Sequence, residues 1–239
     1  MAAHSSLLFS GKVVMVTGAA GNLGRATATA FDACGAHCVL VDVSHDGVHA
    51  LAQECGSAIA LQADLMDAHS VARTVDLALE KWGRIDVLSN VAGGFWMGPA
   101  VHETGPAFWR LMMQLNAETL MNAVAAVVPA MLKSGHGKII NVAAIAGTVG
   151  RARMGAYSAS KSAVIRLTET MAAELREQNI NVNCVVPSIL DTPQNRTDMP
   201  EADPNRWVPL DALADVIVFL ASDQARALHG AALPVVALS

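Results

Sequence analysis

The 239-residue chain contains a single tyrosine, Tyr157, and Lys161 follows it four residues later in Tyr-Ser-Ala-Ser-Lys. At helical spacing the two side chains share one face. A phenol with an ordinary pKa of about 10 exchanges protons poorly at neutral pH, and a lysine ammonium beside it supplies a field that lowers that pKa. The pair therefore points to acid–base chemistry. A second motif lies near the N-terminus, where Val13-Val14-Met15-Val16-Thr17 runs into Gly18-Ala19-Ala20-Gly21-Asn22-Leu23-Gly24 and an Ala/Thr-rich segment. Glycines at a strand-to-helix turn let backbone approach a pyrophosphate, and the helix N-terminus offers free N–H groups and partial positive charge. Asp42 ends the next apolar run, 18 residues past Gly24. Its carboxylate suits the ribose hydroxyls of a dinucleotide and repels a 2′-phosphate, with no Arg or Lys in Val43-Ser44-His45 to offset it, which favours NAD(H) over NADP(H). An ordinary βα turn, and a helix cap or loop acid at Asp42, are the purely structural alternatives.

These residues need a scaffold that brings strand ends together. Apolar β-rich runs near Val13–Thr17, His37–Val41, Ala58–Gln62, Ile85–Ser89, Lys138–Val142, Asn181–Val185 and Leu233–Val236 alternate with helical patterns. The helical patterns fall near Asn22–Cys34, Asp46–Cys55, Ala68–Trp82, Pro106–Lys133, Gly155–Gln178 and Leu210–Ala221. This alternation predicts an α/β fold: one Rossmann-type, doubly wound, parallel seven-stranded sheet with helices on both faces. No repeat or linker divides the chain, and the Pro-rich stretch 187–210 reads as a lid over a site.

Composition narrows the function classes. The chain is 53% hydrophobic and 15% charged, with mean hydropathy +0.38, which excludes disorder and favours a homo-oligomer that buries apolar surface. A net charge of −5 without a basic run argues against nucleic acid. The most apolar stretch, 123–132, is too short to span a bilayer, and the N-terminal twelve residues lack a secretory pattern, so a cytoplasmic protein without a membrane partner is expected. Cys34, Cys38, Cys55 and Cys184 read as reduced, mostly buried thiols. No metal site is expected, since the His45/His49 pair lacks a third ligand. Trp82 and Trp109 read as core residues, and Arg151 and Arg153 as solvated loop side chains.

With Asp64-Leu65 after the third strand, Asn90-Val91-Ala92-Gly93 after the fourth, Asn116, and the Tyr157/Lys161 pair, the chain resembles the short-chain dehydrogenase/reductase family over essentially its whole length. The resemblance implies an NAD(P)-dependent oxidoreductase acting on a small molecule. It places Asp64 and Leu65 near adenine, has Asn90 steady the cofactor loop at Ala92 and Gly93, and has Asn116 hold the water of a proton relay to Lys161. It makes Pro187-Ser188 and Thr192 part of the nicotinamide pocket, and it implies a dimer or tetramer built on the two long helices, 106–133 and 155–178.

Two positions depart from the family pattern. Asn22 stands where the second glycine is usual, which Asn tolerates because it accepts unusual backbone angles. Ala144 stands where the family places a serine, 13 residues before the tyrosine, and loss of such an oxyanion donor typically costs ~10²–10³ in rate. Quinonoid dihydropteridine reductases, a branch of the family, also lack that serine. Leu190–Arg196, Met199–Asp203, Trp207 and Pro209-Leu210 resemble that branch, as does Val91–Gly94 followed by Phe95-Trp96. By that resemblance Trp96 or Phe95 stacks on a planar substrate beside Ala144; the alternative is a hydrophobic plug under the lid. Asn90 and Asn116 follow the ordinary family instead. The expected activity is hydride transfer between a nicotinamide and a small planar or carbonyl substrate. A non-catalytic dinucleotide-binding homologue and a general 3-oxoacyl or ketone reductase are the alternatives.

Overall fold

The computed structural model describes residues 8–239; residues 1–7, on which much of the N-terminal reading rests, lie outside them. Seven strands, β1 (Val13–Thr17), β2 (His37–Asp42), β3 (Ala58–Gln62), β4 (Val87–Asn90), β5 (Gly137–Val142), β6 (Ile180–Pro187) and β7 (Ala232–Val235), form one sheet in the order β3-β2-β1-β4-β5-β6-β7. Every pairing is parallel. The chain winds outward from β1 to β3, then crosses back to place β4 beside β1 and winds the other way. That reversal opens a crevice at the C-terminal ends of β1 and β4, where such sheets bind ligands.

Helices cover both faces, as the continuous apolar character of the strands demands. On one face α3 (Ala68–Trp82), α5 (Thr119–Ser134) and α6 (Gly155–Leu175) bury Val71, Val75, Leu120, Val124, Val164 and Ile165 against the sheet. On the other, α1 (Asn22–Ala33), α2 (His45–Glu54) and α8 (Leu210–Ala221) bury Leu23, Phe31, Leu51, Leu213 and Ile217.

The single helix expected over 106–133 is interrupted. It divides into α4 (Pro106–Met113), a π-turn at Gln114–Glu118, and α5. By length and composition this 29-residue stretch is apolar enough to cross a membrane. Leu120, Ala123, Val124, Val127 and Met131 instead pack into the sheet core. Trp109 on α4 is 45% exposed, not a core residue, because α4 buries only Met112. Trp82 is partly buried and stacks on His37 at 5.4 Å. Of the free thiols, Cys38 and Cys184 are buried and Cys34 and Cys55 half-buried.

Residues 187–210 leave the sheet after β6 and carry a short helix α7 (Pro193–Asp198) and a 3-10 turn (Pro204–Arg206). A bridge between Leu190 and Val208 closes the excursion at its base, with Trp207 and Val208 buried there.

The glycine turn after β1 is set by one close approach. Gly18 has φ +66°, and a Cβ on Gly24 would lie 1.9 Å from the Gly18 carbonyl oxygen. Asn22 begins α1 outside the positive-φ region, so its presence at the usual glycine position needs no unusual backbone angle. A Cβ on Gly21 would meet only the Gly18 oxygen, at 3.3 Å. Gly24→Ala should therefore destabilise the protein by about 3 kcal/mol and Gly21→Ala by about 1 or less, read from urea unfolding midpoints; equal costs would contradict this packing.

Candidate active site

The crevice between β1 and β4 is built largely from backbone. Thr17, the last residue of β1, accepts hydrogen bonds at Oγ1 from the Val91 and Ala92 amides at 3.2 and 3.3 Å, and a Cβ on Gly18 would lie 2.8 Å from the Ala92 Cα. The loops after the two strands are thus held in contact. Helix α1 starts at Gly21 without a side-chain cap, whereas Ser44 caps α2 and Asp67 caps α3. The amides of Asn22, Leu23 and Gly24 consequently lack intrahelical acceptors at the mouth of the crevice. Asp42 accepts from the Ala20 amide at Oδ2 (3.0 Å) and the Ser44 amide at Oδ1 (2.9 Å), which pins its carboxylate beside the glycine turn. Each oxygen keeps a lone pair for a further donor. An uncapped helix start, a turn too tight for a side chain at Gly24 and an adjacent fixed carboxylate fit a dinucleotide.

The other resemblance-derived positions line the same edge. Asp64 follows β3, exposed, and accepts from the Met66 amide; buried Leu65 accepts at its carbonyl from Asn122 on α5. Pro187 ends β6 in a buried position. Thr192 caps α7 through the Asn195 amide at 3.1 Å, and Ser188 donates to the Val236 carbonyl at 3.0 Å.

Tyr157 and Lys161 lie one turn apart on α6. Lys161 is only 5% exposed, and its Nζ donates to the Val142 carbonyl at the end of β5 at 2.8 Å. Burial lowers the ammonium pKa to about 8, opposed by the nearby Cys184 thiol. Burial also pushes the Tyr157 phenol up to about 12. This reverses the expected lowering by Lys161: desolvation of the phenolate dominates, and among the described residues Lys161 bonds the Val142 carbonyl rather than the phenol. The phenol is accordingly protonated at neutral pH, the form of a proton donor.

Three elements converge on this pair. A Cβ on Gly93 would stand 2.7 Å from Asn116 Oδ1 and 3.3 Å from Lys161 Nζ, so the β4 loop, the π-turn and α6 meet at one point. Asn116 accepts from the Gly94 amide (3.1 Å) and donates to the Gly94 carbonyl (3.0 Å) and Ser160 Oγ (3.1 Å). Asn90 donates to Asn141 Oδ1 at 2.9 Å, and Asn141 donates to Thr168 Oγ1 at 2.8 Å, linking β4 and β5 to α6. Asn141, Thr168, Ser160 and Thr17 were not singled out from the sequence. An asparagine inside the otherwise apolar run Ile139-Ile140-Asn141-Val142 was the available signal.

Around the phenol, Ala144 is buried and offers only a methyl group where a hydroxyl donor would stand. Phe95 and Trp96 are 46% and 50% exposed, so neither is a hydrophobic plug. The Phe95 ring meets the Tyr157 ring edge-on at 4.8 Å and 78°, while the Trp96 indole lies over Gly94. Among the described residues no group of three or more His, Cys, Asp or Glu side chains could hold a metal.

Burying a charged lysine destabilises the fold. A fall from 10.5 to about 8 corresponds to about 3 kcal/mol against the charged form. Between those two values the unfolded chain holds the proton and the native protein does not, so native stability rises with pH across that window. Lys161→Met should stabilise the protein by about 2 kcal/mol at neutral pH, an advantage that shrinks toward zero as pH rises through the window. Urea titrations at both ends test this, and a less stable variant at neutral pH would overturn it.

Comparison with known proteins bears on the family and the fold. Residues 12–203 match the family model described as short chain dehydrogenase. The 3-oxoacyl-[acyl-carrier-protein] reductase FabG of Thermotoga maritima is 32% identical over 92% of this chain and 94% of its own. Sorbitol dehydrogenase of Cereibacter sphaeroides is 38% identical over 76% of this chain and 71% of its own. A crystal structure of a putative short-chain dehydrogenase/reductase from Burkholderia xenovorans superposes with TM-score 0.89 at 31% identity, covering 96% of both chains. The chain belongs to the short-chain dehydrogenase/reductase family.

Proposed function

We propose that this protein is an NADH-dependent reductase that delivers a hydride and a proton to a flat, conjugated or carbonyl substrate held between Tyr157, Ala144 and the Phe95–Trp96 wall. The observation that carries the reading is the juxtaposition of a half-buried, protonated Tyr157 with a buried Lys161 cation beneath an exposed aromatic pair. The amides of Asn22, Leu23 and Gly24 hold the pyrophosphate, Gly18 and Gly21 clear its path, and Asp42 takes the ribose hydroxyls while disfavouring a 2′-phosphate. Asp64 and Leu65 flank the adenine. Asn90, Ala92, Gly93, Pro187 and Thr192 surround the nicotinamide. When bound, that ring supplies the hydride.

The chain's own residues manage the proton. Tyr157 Oη donates it to the substrate atom that gains negative charge, and the Lys161 ammonium stabilises the phenolate left behind. Asn116 fixes Gly94 and so the loop over Lys161; with both Nδ2 hydrogens committed, a water of the relay binds elsewhere on that turn. Ala144 withdraws the second donor to a developing alkoxide, which favours a substrate whose charge is already delocalised. Phe95 and Trp96 offer planar faces to such a ring. The reading of 190–210 as resembling quinonoid dihydropteridine reductases, which rests on the sequence alone, favours a pterin-like substrate, with 187–210 as a lid. A 3-oxoacyl or ketone reductase is the second reading, supported by the similarity to FabG. The exposed apolar side chains Trp109, Leu111, Met121 and Leu132 along α4 and α5 support a homo-oligomer.

NADH oxidation should be fast with quinonoid dihydropterin and slow with simple ketones and 3-oxoacyl thioesters; the reverse ranking selects the second reading, and no turnover with any of them refutes the reductase reading. Tyr157→Phe should lower turnover by at least ~10²-fold while NADH affinity stays within ~2-fold. Asp42→Ala should narrow the NADH-over-NADPH ratio of kcat/KM by about tenfold, and a native protein that prefers NADPH would contradict the role given to Asp42.

A further inference from the structure

The loop after β4 carries the aromatic wall, and its attachment is unusual. Gly98 is buried, and one residue serves both of its backbone polar groups: its N–H donates to the Arg153 carbonyl at 2.8 Å, and its carbonyl accepts from Arg153 Nε at 3.3 Å. Arg153 makes this clip with φ +62°, a left-handed conformation uncommon for a residue with a Cβ. Such a conformation persists only where its surroundings enforce it. A Cβ at Gly98 would lie 2.7 Å from the Phe108 ring of α4, and one at Gly155 would lie 2.8 Å from the exposed Val101 side chain. The segment 94–101 is thus seated against α4 and the start of α6, four residues from Tyr157. Arg153 is exposed in its loop, as its sequence context suggested, and in addition makes this clip.

We propose that Arg153 is a positioning residue for the substrate wall: its paired hydrogen bond to Gly98 holds the loop that sets Phe95 against Tyr157. The guanidinium charge is not what this requires. The donor at the Nε position and the strained backbone carbonyl are. The inference rests on the reading of the Tyr157 corner as the reaction site only for its effect on turnover; the clip itself is testable without substrate.

Two variants separate donor from charge. Arg153→Gln puts an amide N–H where Nε stands and removes the charge, and Arg153→Met keeps the length and removes the donor. Hydrogen exchange of the Gly98 amide reports the clip, and the carbon resonance of the chain's only tyrosine reports how far Phe95 still shields its phenol. Arg153→Met should speed Gly98 exchange about tenfold, leaving core amides such as Ile139 unchanged, and move the Tyr157 titration down from about 12 toward its ordinary value. Arg153→Gln should leave both near native. With 9,10-phenanthrenequinone as a flat dicarbonyl probe, Arg153→Met should raise KM about tenfold at unchanged kcat and NADH affinity. The proposal is overturned if Arg153→Met leaves Gly98 exchange and the tyrosine titration native, if Arg153→Gln is as perturbed as Arg153→Met, or if exchange accelerates throughout the sheet. Absence of turnover in the native protein as well would count against the reaction reading, and exchange and titration would still decide the clip.

Discussion

A lysine ammonium held inside the sheet–helix interface is the constraint on which the rest of the candidate site's geometry depends. Lys161 reaches only one acceptor among the described residues, the Val142 carbonyl. Gly93 lies over its Nζ, and a Cβ on Gly147 would fall 2.7 Å from its carbonyl carbon, so the 3-10 turn after β5 packs directly on the backbone of α6. Around the cation, main chain and glycine are joined by the Asn116 amide and the Cys184 thiol. A buried charge is costly unless its position is fixed, and here rigidity substitutes for a counter-ion.

The two sides of the crevice use different materials. On the proposed cofactor side the crevice presents amides, glycine contacts and one carboxylate held by two amides. On the proposed substrate side it presents side chains: a phenol, a methyl group and two half-exposed aromatics. Backbone recognition persists under most substitutions, whereas side-chain recognition can change with one residue. Ala144 illustrates this, since replacing one hydroxyl with hydrogen alters which charge distribution the corner can stabilise while leaving β5 and the following turn intact.

Much of this was legible in the sequence because parallel strands buried on both faces read as apolar runs. β1 and β3 match their expected limits, and β2, β5 and β6 extend them by one to three residues at their ends. Tyr157, Lys161, Asp42 and the glycine turn were visible because they are local patterns of type and spacing. The π-turn around Asn116 was not, because one extra residue in a turn leaves the apolar periodicity on either side intact. Nor was the direction of the Tyr157 shift, which depends on how much water the fold removes rather than on the presence of a lysine. Trp109 was misplaced because α4 is short and turns little of its surface inward. The Arg153 clip links residues 55 positions apart and leaves no periodic trace.

The excursion after β6 is closed at its base by a bridge, Leu190 to Val208, with Trp207 and Val208 buried at that junction, and Arg206 ties it to Leu238 after β7. Hydrogen bonds from the Asp191 amide to the Val208 carbonyl and from the Val208 amide to the Ile189 carbonyl fasten the same neck. Loop-closure entropy grows only slowly with length once the ends are pinned. The intervening residues can therefore lengthen, shorten or be exchanged with little penalty to the sheet. This makes the part of the segment beyond Thr192 a cassette that evolution, or a designer, can swap between relatives while the sheet beneath it stays in place.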